Sequence, residues 1–221
     1  MDAAGVPAFI RANTRIVSPP LAPEIRLHLA TEITPIWLAT ETELQTRGLE
    51  PPFWAFCWPG GQVVARYLLD NPAVARGKSV LDFACGGAVS GIAAALAGAG
   101  RVVANDIDGF ALAAAQMNAD LNGAEIEICA DDLLHAAPPD PGTFDLVLAG
   151  DIFYERPVAT EIERFLRACA AGGATVLIGD PGRKYLPRDG LEELARYPVP
   201  TTIELEKSDV LDSGVWRVRT E

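Results

Sequence analysis

Between Lys78 and Asp180, short apolar runs alternate with longer helix-forming ones, and few folds accommodate that order. "KSVLDFA", "RVVANDI", "EIEICA", "FDLVLAGD" and "ATVLIGD" each read as a buried strand. Between them lie "AVSGIAAALAGAG", "GFALAAAQMNADLNG" and "ERPVATEIERFLRACAAGG", each reading as a helix that ends at glycine. Strand followed by helix, repeated, requires parallel strands with helices on both faces. After Asp180 the pattern changes. "PRDGLEELARYP" (Pro187–Pro198) predicts one more helix. "TTIELEKS" (Thr201–Ser208) and "GVWRVRTE" (Gly214–Glu221) predict strands joined by too few residues for a helical crossover, so antiparallel to one another. The expected architecture is a doubly wound α/β sheet of seven strands, five parallel plus a C-terminal antiparallel pair.

The chain has 221 residues, 49% of them hydrophobic, enough for a single cored domain. Residues 51–221 are expected to form that domain and residues 1–50 an extension packed on it. In the extension "EIRLHLA" reads as a strand, and "TPIWLATETELQTRG" (Thr34–Gly48) as a strand or a helix. "APPDPG" (Ala137–Gly142) reads as a surface turn. No apolar run reaches the roughly 20 residues needed to span a bilayer, and no secretory signal stands out. The net charge of −12 repels phosphate backbones and attracts lysine-rich protein segments, so nucleic acid is not expected as a partner. Cys57, Cys85, Cys129 and Cys169 are widely spaced, as reduced cysteines of a cytoplasmic protein would be. His28 and His135 are isolated, so no metal site is expected.

"VLDFACGGAVSG" (Val80–Gly91) turns a strand into a helix. Gly86 and Gly87 let the backbone approach a ligand closely, and helix N–H groups face the same space. Asp106 ends the next strand, where a carboxylate can accept both hydroxyls of a ribose. A nicotinamide dinucleotide would require glycine at Ala84 and Val89, and would set Asp82 against its diphosphate. S-adenosylmethionine carries no phosphate, and its ammonium and sulfonium suit the acid at Asp82. Asp131 and Asp132 follow the third strand; either can accept from an adenine amino group, with Asp131 preferred and the other capping a turn or solvated.

Asp151 stands at the carboxyl end of the fourth strand, where open α/β sheets place their chemistry, and Tyr154 follows three residues later. An acid and a tyrosine at that spacing suit an aliphatic amine. The plainer alternatives are that Asp151 caps the following helix and that Phe153 simply packs. "PPFWAFCWPGG" (Pro51–Gly61) crowds Phe53, Trp54, Phe56 and Trp58 into six residues, as a buried strand or as a pocket wall.

Together, "PPFWAFCWPGGQVVARYLLDNP", "VLDFACGGAVSGIAA", "VVANDID", "LVLAGDIFY" and "IGDPGRKYLP" resemble the protein-lysine methyltransferases with a D-x-x-Y motif, and within them the electron transfer flavoprotein β-subunit lysine methyltransferase family. The resemblance implies the class I methyltransferase sheet, S-adenosylmethionine as donor and protein lysines as acceptors. It implies cofactor contacts from Trp58, Gly60, Asp82, Ala84, Gly86, Asp106, Ile107, Asp131, Asp132 and Gly150, and acceptor-site roles for Asp151 and Tyr154. Asp151 is expected to dock the incoming cation and Tyr154 to supply a hydroxyl and a side wall. Ala84 and Ala88 depart from the glycines usual in the cofactor turn. A monomer acting on the flavoprotein β-subunit is expected. A ribosomal-protein acceptor, a small-molecule amine, a nicotinamide oxidoreductase and a non-catalytic binding module remain as alternatives.

Overall fold

The computed structural model describes residues 5–31, 34–38, 51–136 and 140–220. Residues 39–48 of the stretch read as strand or helix, and residues 137–139 of the proline-rich turn, lie outside them. The first described elements are α1 (Gly5–Asn13), β1 (Arg15–Val17), β2 (Leu27–Leu29) and α2 (Pro35–Leu38). β1 and β2 pair as an antiparallel ribbon. α1 packs on the later helix α5 (Gly109–Asn122), with Phe9 edge-on to Phe110 at 5.4 Å between ring centroids.

The main sheet holds β3 (Ser79–Phe83), β4 (Arg101–Asn105), β5 (Glu127–Cys129), β6 (Leu146–Gly150), β7 (Thr175–Asp180), β8 (Leu191–Pro200) and β9 (Val210–Val218). Its order is β5-β4-β3-β6-β7-β9-β8. The strands β3 to β7 are parallel, and β9 runs antiparallel to both of its neighbours. The seven-stranded architecture is therefore as expected, and the last expected strand, Gly214–Glu221, is met by β9, but its antiparallel partner is built from different residues.

The stretch expected to be a helix, Pro187–Pro198, instead supplies β8, and the stretch expected to be a strand, Thr201–Ser208, holds the short helix α7 (Ile203–Glu206). Glu192, Glu193, Leu194 and Ala195 have good helix propensity, but β9 offers a backbone ladder along the whole length of β8. β8 lies at the sheet edge, which tolerates Pro198 and Pro200: two residues apart, both lack their N–H on the side away from β9.

Alternation along the strands divides the core in two. Val80, Leu146, Leu148 and Leu177 face α3 (Pro59–Asp70), α4 (Val89–Leu96) and α5. Leu81, Val147, Ala149, Val176 and Ile178 face α6 (Val158–Ala171), which contributes Ile162, Phe165 and Leu166. Each such fully buried side chain contributes about 1.5–3 kcal/mol, so the register of these strands is strongly specified. Phe153 is fully buried in this second half, in the packing role. The switch in strand order falls between β3 and β6, with β4 on the other side of β3. That opens a crevice at the carboxyl ends of the strands.

Candidate active site

The wall of the crevice comes from the aromatic segment. It is no strand: Phe53–Ala55 form one 3₁₀ turn, and Trp58 precedes α3 in extended conformation. Trp54 turns inward and stacks on Phe110 at 6.1 Å. Phe53 turns outward, 53% exposed, with its ring 6.1 Å from Trp58 and 5.9 Å from Tyr154. The Trp58 indole N–H donates to Phe53 O at 2.9 Å, which fixes the ring. Tyr154 is 58% exposed and Ile107 75%, so large apolar groups meet solvent on this rim. Adjacent exposed aromatic rings of this kind are a feature of ligand- and partner-binding surfaces.

The start of α3 lies directly against the ends of β6 and β7. A Cβ on Gly60 would strike Gly179 O and come within 2.5 Å of Asp151 Oδ2, and one on Gly150 would come within 2.7 Å of Gly61 N. Only glycines at 60, 150 and 179 permit this backbone contact. Its product is a hydrogen bond from Gly60 N–H to Asp151 Oδ2. Gly60 thus enters the site through Asp151.

The glycine turn after β3 places its alanines in the left-handed region. Ala84 (φ 51°) and Ala88 (φ 59°) both adopt the left-handed conformation, as does Gly86 (φ 51°). Gly86 N–H donates to Asp106 Oδ2 at 2.9 Å, and Asp108 N–H to Asp106 Oδ1 at 3.0 Å, so this strand-end acid is held from both oxygens. Asp82 is 3% exposed and accepts from Gly91 N–H at 2.8 Å. Burial raises its carboxyl to about 8, with Gly91 N–H opposing and the charge of Asp106 adding to the rise. A cation in the crevice would reverse that penalty. Asn118, unforeseen from sequence, ties the turn to β2: its amide donates to Gly87 O at 2.9 Å and accepts from His28 N–H at 2.7 Å. After β5, Asp132 accepts from Leu134 N–H and His135 N–H and thereby caps its own turn. Asp131 lies beside it, its carbonyl receiving the Asn105 amide at 2.9 Å.

Asp151 has partners that the sequence reading did not include. It is 6% exposed, sits at φ 57°, and its N–H donates to Gly179 O at 3.0 Å. It does not cap α6, whose N-cap is Pro157. Its Oδ1 accepts from Arg183 Nε at 2.8 Å and from the terminal guanidinium nitrogen at 2.6 Å. Arg183 also pairs with Glu206 Oε1 at 2.7 Å and lies 5.8 Å from the Trp58 ring centroid. Burial drives the Asp151 carboxyl up to about 7; Arg183 holds it down, and neighbouring Asp180 pushes it further up. Asp180, fully buried, turns the chain after β7 by accepting from Gly182 N–H and Arg183 N–H at 2.7 and 2.6 Å. Arg183, Asp180 and Glu206 received no role from sequence, although "IGDPGRKYLP" was the one usable signal for the first two.

The residues suit S-adenosylmethionine. The wall is apolar and aromatic, the ionisable groups at the ends of β3 and β4, Asp82 and Asp106, are acids, and the turn from Cys85 to Ala88 carries no basic side chain for a diphosphate. Beyond Gly86 a Cβ would meet only Trp54 Cα at 3.8 Å, so the space over the turn is open.

Comparison with known proteins follows the same line. Residues 66–179 match the family model for ribosomal protein L11 methyltransferase (PrmA). The electron transfer flavoprotein beta subunit lysine methyltransferase of Danio rerio is 42% identical over 215 residues, covering 95% of this chain and 81% of that protein. The protein of that name from Homo sapiens is 38% identical, covering 96% and 81%. Among solved structures, magnesium protoporphyrin IX methyltransferase from Synechocystis PCC 6803, with bound SAH, superposes with a TM-score of 0.52 at 18% identity, covering 72% of this chain and 81% of that one. At that identity the likeness speaks for the fold.

Proposed function

This chain belongs to the electron transfer flavoprotein β-subunit lysine methyltransferase family, and from that premise we propose that it methylates lysine ε-amines of that flavoprotein subunit, with S-adenosylmethionine as donor. The observation that carries the reading is Asp151: a buried carboxylate at the end of β6, held by the glycine contact of α3 and flanked by an uncovered aromatic wall.

When bound, S-adenosylmethionine supplies an electrophilic methyl group on a sulfonium. Asp106 would hold the ribose, Asp131 the adenine amino group, and Trp58 and Phe53 the apolar flank of the methionine end. Asp82, close to the same crevice floor, favours a cation there.

The acceptor presents a different difficulty. Free lysine has a pKa near 10.4, so about one in a thousand is neutral near pH 7.4, a penalty of about 4 kcal/mol. Asp151 attracts the charged amine to the site and orients it. The aromatic wall excludes water and, together with the donor's charge, favours loss of the proton, which leaves through water. Tyr154 lines the entrance with its ring against Phe53. Alignment then supplies most of the rate.

The test uses tritiated donor with recombinant flavoprotein β-subunit, ribosomal protein L11 and free aliphatic amines as competing acceptors. Label in the flavoprotein subunit is expected. Asp151→Asn should lower kcat/KM at least about a hundredfold, the scale of one lost transition-state contact, with donor affinity by calorimetry nearly unchanged. Label only in free amines or only in L11 would overturn the acceptor, and lost donor binding in the variant would move Asp151 out of the acceptor site.

A further inference from the structure

The acid of the acceptor site does not stand alone, and its partner is the residue of interest. Arg183 reaches back from the loop after β7 and grips Asp151 Oδ1 through two nitrogens, at 2.8 and 2.6 Å. The same terminal nitrogen, Nη2, also holds Glu206 Oε1 of α7 at 2.7 Å, and Nη1 reaches Glu206 Oε2 at 3.4 Å. Both carboxylates are buried, and the guanidinium is mostly so. Three devices hold it in place: the Asp180 turn that fixes its backbone, the Trp58 ring 5.8 Å away, and α7, which occurs where a plain β8–β9 hairpin would carry no acid at this depth. A salt bridge so enclosed needs every member satisfied, and removing one leaves an uncompensated buried charge.

We infer that Arg183 is a positioning residue of the acceptor site: it favours the charged form of Asp151 and fixes the aim of that carboxylate, with Glu206 as its far anchor. The inference rests on the acceptor role proposed for Asp151. The ionisable groups that face Asp151 are Arg183 and Asp180 from the end of β7 and its loop, Glu206 behind Arg183 from α7, and Cys57 from the segment before α3. Of these, Arg183 is the cation. With it gone, burial and Asp180 both act to protonate Asp151, and Gly60 N–H alone opposes them. A neutral Asp151 can neither attract a lysine ammonium nor keep the same hydrogen bonds. The arginine therefore does for the empty-handed acid what the substrate cation does during turnover, and a larger share of the acid is charged before the substrate arrives.

An opposite charge at this distance shifts a carboxyl by about 1–3 units. With a shift of about 1.5 units from the present value of about 7, Arg183→Gln lowers kcat/KM by about twentyfold at pH 6.5 and by less than about twofold at pH 9. A merely structural loss would lower it equally at both. Arg183→Lys, which keeps the charge, should retain the wild-type pH profile with a pH-independent drop. Because Arg183→Gln orphans Glu206, the double variant Arg183→Gln, Glu206→Gln removes that buried charge and should show the same pH-dependent deficit.

A second readout needs neither donor nor acceptor. Carbon-13 NMR titration of the aspartate carboxyl carbons, with Asp151 assigned by its absence in Asp151→Asn, should place its midpoint at least one unit higher in both glutamine variants than in wild type. An unmoved midpoint, or a deficit in kcat/KM that is constant with pH, overturns the inference. Absence of methyl transfer by wild type to the flavoprotein subunit would instead count against the proposed function, and the titration would still decide the role of Arg183.

Discussion

Gly60→Ala tests how closely the start of α3 is bound to Asp151. The added Cβ would lie within 2.5 Å of Asp151 Oδ2 and 2.7 Å of Asp151 N, and would strike Gly179 O as well. Two of these are backbone atoms in the ends of β6 and β7, so no side-chain rotation relieves them. Overpacking of this kind costs about 1–3 kcal/mol. Relief requires α3 to move away, which breaks the buried hydrogen bond from Gly60 N–H to a carboxylate, worth about 1.5–3 kcal/mol. The sum, about 2.5–6 kcal/mol, is a large share of the 5–15 kcal/mol typical of a domain. With a urea m-value of about 3 kcal/mol/M, the unfolding midpoint should fall by about 0.8–2 M. Gly109→Ala is the control: in the first turn of α5, its Cβ would meet nothing within 4 Å, so its midpoint should hold or rise slightly. If Gly60→Ala and Gly109→Ala unfolded at the same urea concentration, the close approach of α3 to β6 and β7 would be wrong. In an Asp151→Asn background the penalty of Gly60→Ala should shrink, because the charged hydrogen bond is already gone.

Other consequences concern the cofactor turn and the wall. Ala84→Gly should stabilise by about 1 kcal/mol: left-handed alanine costs about 1–2, offset by about 0.4–1 of unfolded-state entropy. Ala88→Gly should gain nothing in the same thermal scan, because its methyl is buried against Ala104 and Ala115 and is worth about 0.8 kcal/mol. Asp82 has a raised carboxyl in the folded state, so its contribution is present below the unfolded value near 3.8 and is lost as pH rises towards about 8. Asp82→Asn should therefore flatten the decline in stability of cofactor-free protein between about pH 4 and 8, measured by urea denaturation at a series of pH values; an unchanged slope would refute the burial argument. Phe53→Ala should leave the unfolding midpoint nearly unchanged, since the ring is exposed, yet weaken donor binding about three- to tenfold by calorimetry.

The chain order of local patterns determined a good deal. The five strands from Ser79 to Asp180 and the helices between them follow from runs of apolar residues and glycine stops, which depend on neighbours in sequence. Strand-end acids at Asp82, Asp106 and Asp151 are legible for the same reason, since the end of a strand is a local event. The aromatic segment declared itself by composition, although which ring turned inward, Trp54, and which outward, Phe53, was decided by the arrival of α5 and its Phe110.

Tertiary structure alone decided the rest. Residues 191–196 have helix-forming side chains, yet 191–200 became a strand because β9 was there to pair with them. That choice left Thr202–Glu206 to form α7 and placed Glu206 beside Arg183. Asp151 reads in sequence as an open acid and is in fact a paired one, because its partner lies 32 residues away and meets it only across adjacent strand ends. The glycines at 60, 150 and 179 look unremarkable in their own segments; their shared purpose exists only where three backbones converge. Periodicity and caps are written within a turn or two of chain, whereas burial, ion pairing and backbone contact depend on which segments are brought together.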